Sequence, residues 1–586
     1  MALLRVVAGI VAAALVLGVA ELVAVFTGAG SAPAYALGAT VVDHTPDGIR
    51  EWAIQTFGTN DKAVLFVCMG VVAVVVAGLA GALERVGRPV GSIVFGIFGV
   101  VAAVVGAGRV DGIGGALPAL IGTAAGILAL RALTRRIDAE VAAGAAPARG
   151  PAADSSAADS AADDTADTGP VRDIHADVES GRDALADLDP ASTHEPATST
   201  AATDTASTAG LRGPARPGEP ETSTAAADTA STGRRRVLGG IAATGVFAIG
   251  AGLAGRLLGG ARTDVSAERA TVALPRPVAP LPALPAEADL PVPGLTPFLT
   301  PNSDFYRIDT ALVVPQLSTD AWELRIHGLV AREIRLTWDD LARRTPVERL
   351  VTLACVSNPV NGDLIGNAPW LGYRLDELLA EAGPLPEADM VLSRSTDGWT
   401  AGTPLSALTD GRDALLAIGM NGEPLPIRHG YPARLVVPGL YGYVSATKWV
   451  TELEVTRFDR ATAYWTRRGW SALGPIKTGT RIDTPRGRGR IPPGRTTIAG
   501  VAWAQHRGIT GVEVQIDDGP WRAARLSTEV TVDTWRQWVY DWDATSGQHT
   551  LRARALDETG TPQTAVQQDV VPDGATGYPT LTLQVA

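Results

Sequence analysis

The sequence predicts a multidomain chain: an N-terminal α-helical membrane unit, an α+β domain and a C-terminal all-β sandwich. Three observations carry this reading. Four apolar runs crowd the stretch before residue 131, a low-complexity segment poor in large apolar residues follows, and the last half alternates short strands with a few short helices. With 586 residues the chain has room for several such units.

The apolar runs cover residues 3–26, 63–83, 90–108 and 113–130. Each approaches the roughly 20 residues that cross a hydrocarbon core, so residues 1–136 read as a four-helix transmembrane unit. Arg5 and Glu21 sit near the ends of the first run, where long side chains reach the headgroups. Gly70, Gly78, Gly81, Gly96 and Gly99 suit close helix packing. None of the seven histidines lies in an apolar run, so a bis-histidine haem has no ligands there and no haem is expected. The unit reads as an anchor or docking surface.

Loop charges set the orientation. Arg85 and Arg88 follow the second run and Arg131, Arg135 and Arg136 the fourth, whereas the first loop carries Asp43, Asp47, Glu51 and Asp61. The positive-inside rule puts the N-terminus and the segment after residue 131 in the cytoplasm. A fifth run, 237–259, lies within a segment 234–260 that crosses once more and carries everything after it outside. The chain is expected to be a multi-pass cell-membrane protein whose C-terminal half is extracytoplasmic. Arg234-Arg235-Arg236 ahead of this helix has two readings: a twin-arginine signal for export of a folded, cofactor-loaded domain, or an ordinary cytoplasmic stop.

Residues 137–233 are mostly Ala, Asp, Thr, Ser, Gly and Pro, which cannot bury enough apolar surface to offset chain entropy, so they read as a disordered cytoplasmic linker. The formal charge of -12 owes much to this segment; it gives no signal for nucleic acid, and none is expected as a partner. Residues 261–293 form a spacer, Pro-rich from 274 onward, that should run extended along the domain surface.

Residues 294–461 carry the α+β pattern. Residues 322–328 alternate like a strand, 337–344 read as a capped helix, 349–355 as a buried strand ending at Cys355, and 373–382 as a helix stopped by Gly383-Pro384. Cys355 is one of two cysteines; the other, Cys68, lies in an apolar run, so a disulfide between them is not expected. Two readings remain for the thiol: burial as a small hydrophobe, or metal ligation as thiolate.

Three blocks decide between them. Asn302-Ser303-Asp304-Phe305-Tyr306-Arg307, the cysteine strand followed by Gly366-Asn367-Ala368-Pro369-Trp370-Leu371-Gly372, and the run from Leu425 through His429, Arg434 and Gly442 to Lys448-Trp449 together resemble the sulfite oxidase family of molybdopterin-dependent oxidoreductases. The resemblance covers residues 294–586. It implies a molybdenum-molybdopterin cofactor, with Cys355 as the thiolate ligand of the metal and the catalytic residue. It further implies that Asn302, Phe305, Tyr306 and Arg307 wrap the pterin and that His429 and Arg434 hold its phosphate and ring. Ser445, Ala446, Thr447 and Lys448 would form the closing loop, which is one residue longer here than the family's. Asp397 either hydrogen-bonds the pterin or shapes a turn. Read without the family, Arg434 and Lys448 could be solvated charges, His429 a turn cap, and Phe305 and Tyr306 core.

Two departures bear on substrate. The family's anion-binding arginines after the cysteine are replaced by Ser357-Asn358-Pro359-Val360-Asn361, and Trp399 stands where those enzymes have an active-site tyrosine. An indole N–H only donates and supplies no phenolic proton. A neutral, reducible small molecule such as a sulfoxide or N-oxide is therefore favoured over sulfite.

Residues 462–586 read as all-β: Val512, Val514 and Ile516 alternate with polar residues, as do Leu551, Ala553 and Ala555, which suggests an immunoglobulin-like sandwich. Trp521, Trp535, Trp538, Tyr540 and Trp542 read as core and interface packing rather than a sugar platform. The resemblance implies homodimerisation through this domain. The leading expectation is a membrane-anchored enzyme of oxygen-atom or two-electron transfer at the outer face, served by a separate quinone- or cytochrome-linked electron-transfer partner. Sulfite oxidation, a non-catalytic extracytoplasmic binding module and a structural membrane protein are the alternatives.

Overall fold

The computed structural model describes residues 1–57, 61–109, 112–145, 225–487 and 490–586; most of the expected linker lies outside the described residues. The apolar runs form helices α1 (Ala2–Thr27), α4 (Asp61–Leu83), α5 (Val90–Arg109), α6 (Leu117–Ala145) and α7 (Ala225–Thr263). Among the described residues, five helical segments are long and apolar enough to cross a membrane. The loop after α1, read as a plain connection, instead holds α2 (Pro33–His44) and α3 (Asp47–Phe57). Pro33 starts α2 at a first-turn position, where its missing N–H costs nothing.

Small residues set the helix contacts. A Cβ on Gly9 would lie 2.1 Å from the Ala77 carbonyl oxygen, and one on Gly81 2.2 Å from that of Arg5, so α1 and α4 touch backbone to backbone. Gly78 and Gly99 also face neighbouring helices, whereas Gly70 and Gly96 face open space.

After the short helix α8 (Ser266–Thr271), the α+β region opens with β1 (Glu323–Gly328), β2 (Ile334–Thr337) and α9 (Trp338–Ala342), then β3 (Val347–Ala354) and β4 (Ile365–Arg374). Thr337 caps α9 reciprocally with Asp340, the capping box its sequence spells out. Next come α10 (Leu375–Ala382), β5 (Met390–Ser395), β6 (Thr400–Pro404), α11 (Leu405–Thr409), β7 (Leu415–Met420), β8 (Glu423–Pro424), β9 (Arg434–Val436), α12 (Gly442–Ser445) and β10 (Val450–Thr456). One sheet runs β2-β1-β10-β5-β6; a second runs β3-β4-β7-β8, with β9 also paired to β7. Trp322, Leu324, Ile326, Leu378 and Leu453 belong to a core buried to within 1%.

The C-terminal region contains β11 (Gly479–Thr484), β12 (Arg490–Ile491), β13 (Gly494–Trp503), β14 (Ile509–Ile516), β15 (Arg522–Ala523), β16 (Arg525–Leu526), β17 (Arg536–Ala544), β18 (Gly547–Asp557) and β19 (Thr580–Val585). Two sheets, β11-β13-β17-β16 and β12-β19-β18-β14-β15, enclose a common core that includes Val512, Val514, Leu551 and Trp538. Period-two alternation thus buries one face of each strand. Trp538 and Trp542 are core, whereas Trp535 reaches out of the sandwich: its indole N–H donates to the Phe298 carbonyl and its amide to the Thr352 hydroxyl. The Pro-rich spacer is built into this region, with Leu290 packed against Ala499 and Val539.

Candidate cofactor cavity

Strand β3 stops at Ala354 because the chain turns at Cys355, whose amide donates to the Leu364 carbonyl at 2.9 Å. The Asn358 side chain closes the same turn by accepting from the Leu364 amide. The sandwich clamps it from behind: the Ile482 amide donates to Asn361, Arg481 to the Gly362 carbonyl, and Gln505 to the Thr352 carbonyl. Cys355 is therefore held rigidly, 9% exposed, on the wall of a cavity of about 110 Å³. Burial pushes its thiol pKa up, opposed by hydrogen bonds from Ser357 and by the Lys448 charge. Cys68 is exposed on α4, and neither cysteine is in a disulfide.

The opposite wall is cationic. Arg434 opens β9 and is buried, yet among the described residues its guanidinium donates only to carbonyls, those of His429 (3.1 Å), Leu435 and Ala446, and sits 5.1 Å over the Trp370 ring. Burial pulls its pKa down to about 10. Lys448 pairs with Asp309 at 2.6 Å; burial pulls the lysine down to about 8 against the pull of that carboxylate. Burial also pushes Asp309 upward, but Lys448, Lys62 and Arg307 outweigh it and hold the carboxyl well below its ordinary range. His429 falls to about 3, first through burial and then through the Arg434, Lys448 and Arg428 charges, so its imidazole is neutral at pH 7. The buried Ser395 hydroxyl also lines this cavity and has no hydrogen-bond partner among the described residues.

Of the residues expected at the site, Cys355, Phe305, Tyr306, Asp397, His429, Arg434, Ala446 and Lys448 share this one cavity. Phe305 stacks on Tyr306 and meets Trp370 and His429 edge-on. Asp397 accepts from the Trp399 amide at 3.2 Å, the turn-shaping contact, while also lining the cavity. Four others stand outside the cavity wall. Asn302 bonds Glu423, Asn421 and the Met420 carbonyl beside a separate open pocket, and Arg307 grips Asp309. Ser445 ties to the Leu440 and Tyr441 carbonyls, and Thr447 to Ser393.

Sequence reasoning passed over Asp309, Ser395, Tyr443, Trp465 and Trp470, which also line the cavity. Asp309 lies two residues past the Asn302–Arg307 block, so its position was a usable signal. Trp465 and Trp470 offered none: they follow β10, at the start of the segment read as the sandwich, and fold back onto the α+β core.

Residues 311–465 match the model of the oxidoreductase molybdopterin binding domain. Human mitochondrial sulfite oxidase is 30% identical over 310 residues, 44% of this chain and 56% of that protein. The oxidoreductase YuiH of Bacillus subtilis is 32% identical over 153 residues, 26% of this chain and 74% of that one. A crystal structure of the sulfane dehydrogenase SoxCD from Paracoccus pantotrophus aligns with 26% identity and a TM-score of 0.44 over 50% of this chain and 84% of that one. The chain spans about half the length of the curated sulfite oxidases it matches. By the domain match and the two sequence relatives, the chain belongs to the sulfite oxidase family of molybdopterin-dependent oxidoreductases.

Proposed function

We propose that this protein is a membrane-anchored molybdenum enzyme of oxygen-atom or two-electron transfer, reducing a neutral oxo compound such as a sulfoxide or N-oxide. The observation that carries the reading is one cavity joining a thiol outside any disulfide, a guanidinium with no carboxylate partner among the described residues and a hydroxyl with no hydrogen-bond partner among them. That donor set fits the cofactor. A soft thiolate suits a metal already held by sulfur, and a buried cation lacking an anion suits the pterin phosphate. When bound, the cofactor supplies the redox and oxygen-transfer chemistry.

In this reading Cys355 ligates the metal, and the Ser357 amide and hydroxyl stabilise its thiolate. Arg434 and Lys448 hold the anionic end of the cofactor, neutral His429 packs beside it without adding charge, and the Ser395 hydroxyl bonds its polar edge. Phe305, Tyr306, Asp397 and Ala446 form the walls. Asn302, Arg307, Ser445 and Thr447 fix those walls from behind. Trp399, Tyr443, Trp465 and Trp470 keep water out and offer an apolar approach. Sulfite oxidation is the second reading, favoured by the similarity to sulfite oxidases and by the two buried cations.

The positive loop charges favour a cytoplasmic N-terminus and an extracytoplasmic catalytic region, with a twin-arginine route open to Arg234-Arg235-Arg236. The two-sheet sandwich is of immunoglobulin-like type in this proposal and serves homodimerisation; a separate electron-transfer partner couples the site to the membrane.

Metal analysis of purified protein should find about one molybdenum per chain together with a releasable pterin. None after expression in a cofactor-competent host would leave a binding module instead. Cys355→Ser should lose molybdenum and turnover while keeping the unfolding temperature of the cofactor-free wild type; unchanged turnover would remove the ligand assignment. A screen of sulfoxides, N-oxides and sulfite with artificial electron donors and acceptors separates the two substrate readings.

A further inference from the structure

The apolar helices do more than stand beside the cavity. The Lys62 ammonium, in the first turn of α4, donates to Asp309 Oδ1 at 3.1 Å, to the Asp309 carbonyl at 3.0 Å and to the Ala311 carbonyl at 2.8 Å. The other carboxylate oxygen of Asp309 accepts from Lys448 at 2.6 Å and from Arg307 at 2.7 Å. Asp309 itself is a cavity wall residue whose side chain is only 7% exposed. A second tie is independent of the first. Asp43 of α2, paired with Arg109 of α5, accepts from Arg468 and from the Tyr464 hydroxyl. That hydroxyl belongs to the aromatic run Tyr464, Trp465 and Trp470, whose two tryptophans line the cavity.

From this geometry we propose that α4 completes the cofactor cavity, with Lys62 a positioning residue that acts through Asp309 on Lys448, whereas the Asp43 contacts dock the helices without touching that cluster. Alone with Lys448, Asp309 would neutralise it. Shared among three cations, Lys62, Arg307 and Lys448, the carboxylate leaves the cluster with a net charge of +2 (three minus one). A cluster of that sign, with Asp309 and Lys448 buried and Lys62 and Arg307 partly exposed, attracts an anionic group into the cavity, and removing Lys62 lowers the charge to +1 and frees one face of Asp309. A helix outside the matched domain thereby controls how firmly the domain holds its cofactor. This inference rests on the molybdopterin reading of the cavity.

The test uses the full chain in detergent as wild type, Lys62→Met, Lys62→Arg and Asp43→Asn. It follows pterin release by fluorescence after dilution, together with KM, kcat and thermal unfolding. Lys62→Met should release pterin about tenfold faster, the size expected for one charge-assisted hydrogen bond, with little change in unfolding temperature. Lys62→Arg should restore retention, and Asp43→Asn, which leaves Asp309 untouched, should retain pterin as wild type does. Wild-type retention in Lys62→Met overturns the inference, as does equally fast release from Asp43→Asn, which would indicate general loosening. Should Lys62→Met fail to accumulate, Lys62→Gln, which keeps a donor without the charge, is read by the same criterion. A wild-type protein that carries no pterin would instead overturn the cofactor reading itself.

Discussion

His429 should make the cofactor-free protein acid-sensitive by an amount that its surroundings set. Its imidazole ordinarily titrates near 6.5, but burial and the Arg434, Lys448 and Arg428 charges bring it to about 3 in the folded chain. Between these values the unfolded chain binds more protons than the folded one, so stability falls as pH drops from 6.5 towards 3. Below the folded value the loss is complete. Linkage over that interval amounts to about 5 kcal/mol, of which about 2 kcal/mol is spent between about pH 7 and pH 5. The amide side chain introduced by His429→Asn cannot titrate, so the variant should lack this component. Thermal unfolding of cofactor-free wild type and variant, followed by tryptophan fluorescence at about pH 7 and pH 5, measures it. The stability difference between the two proteins should shift by about 2 kcal/mol in favour of the variant on acidification. Parallel pH profiles would show that His429 is not held neutral by its neighbours.

Arg434→Met should weaken pterin retention by about 10- to 100-fold, because a buried charge-assisted bond is worth roughly 1.5–3 kcal/mol; the released pterin is quantified by fluorescence, and wild-type retention would contradict the phosphate role. Gly430→Ala should destabilise the cofactor-free protein by about 1–3 kcal/mol. Gly430 has a φ of 113°, and an added Cβ would lie 3.0 Å from that of Arg434 and 3.1 Å from that of Lys448. An unchanged unfolding temperature would argue against this backbone geometry.

Local chemistry made much of the site legible. The cap at Thr337, the buried strand leading to Cys355 and the stop at Gly383 each follow from a few adjacent residues, although the strand ends one residue early, at Ala354, and the capped helix at Ala342 rather than at residue 344. The helices α2 and α3 escaped notice because 12 and 11 residues are too short and too mixed in polarity to look like membrane spans. Arg307 and Lys448 look alike as isolated basic residues in the sequence, yet one braces Asp309 from outside and the other faces the cavity.

By itself the sequence determined the apolar helices, the alternating strands, the unpaired thiol and the order of the motif blocks, because each depends on residues close together in the chain. Tertiary structure decided which charges lose their water and which partners they meet. Asp309 lies 247 residues from Lys62 and 139 from Lys448, and only folding brings the three within hydrogen-bonding distance. Burial then turns ordinary surface residue types into a cavity with a neutral histidine, a guanidinium pulled down to about 10 and a lysine pulled down to about 8. Desolvation is a property of the assembled fold, and no local pattern encodes it.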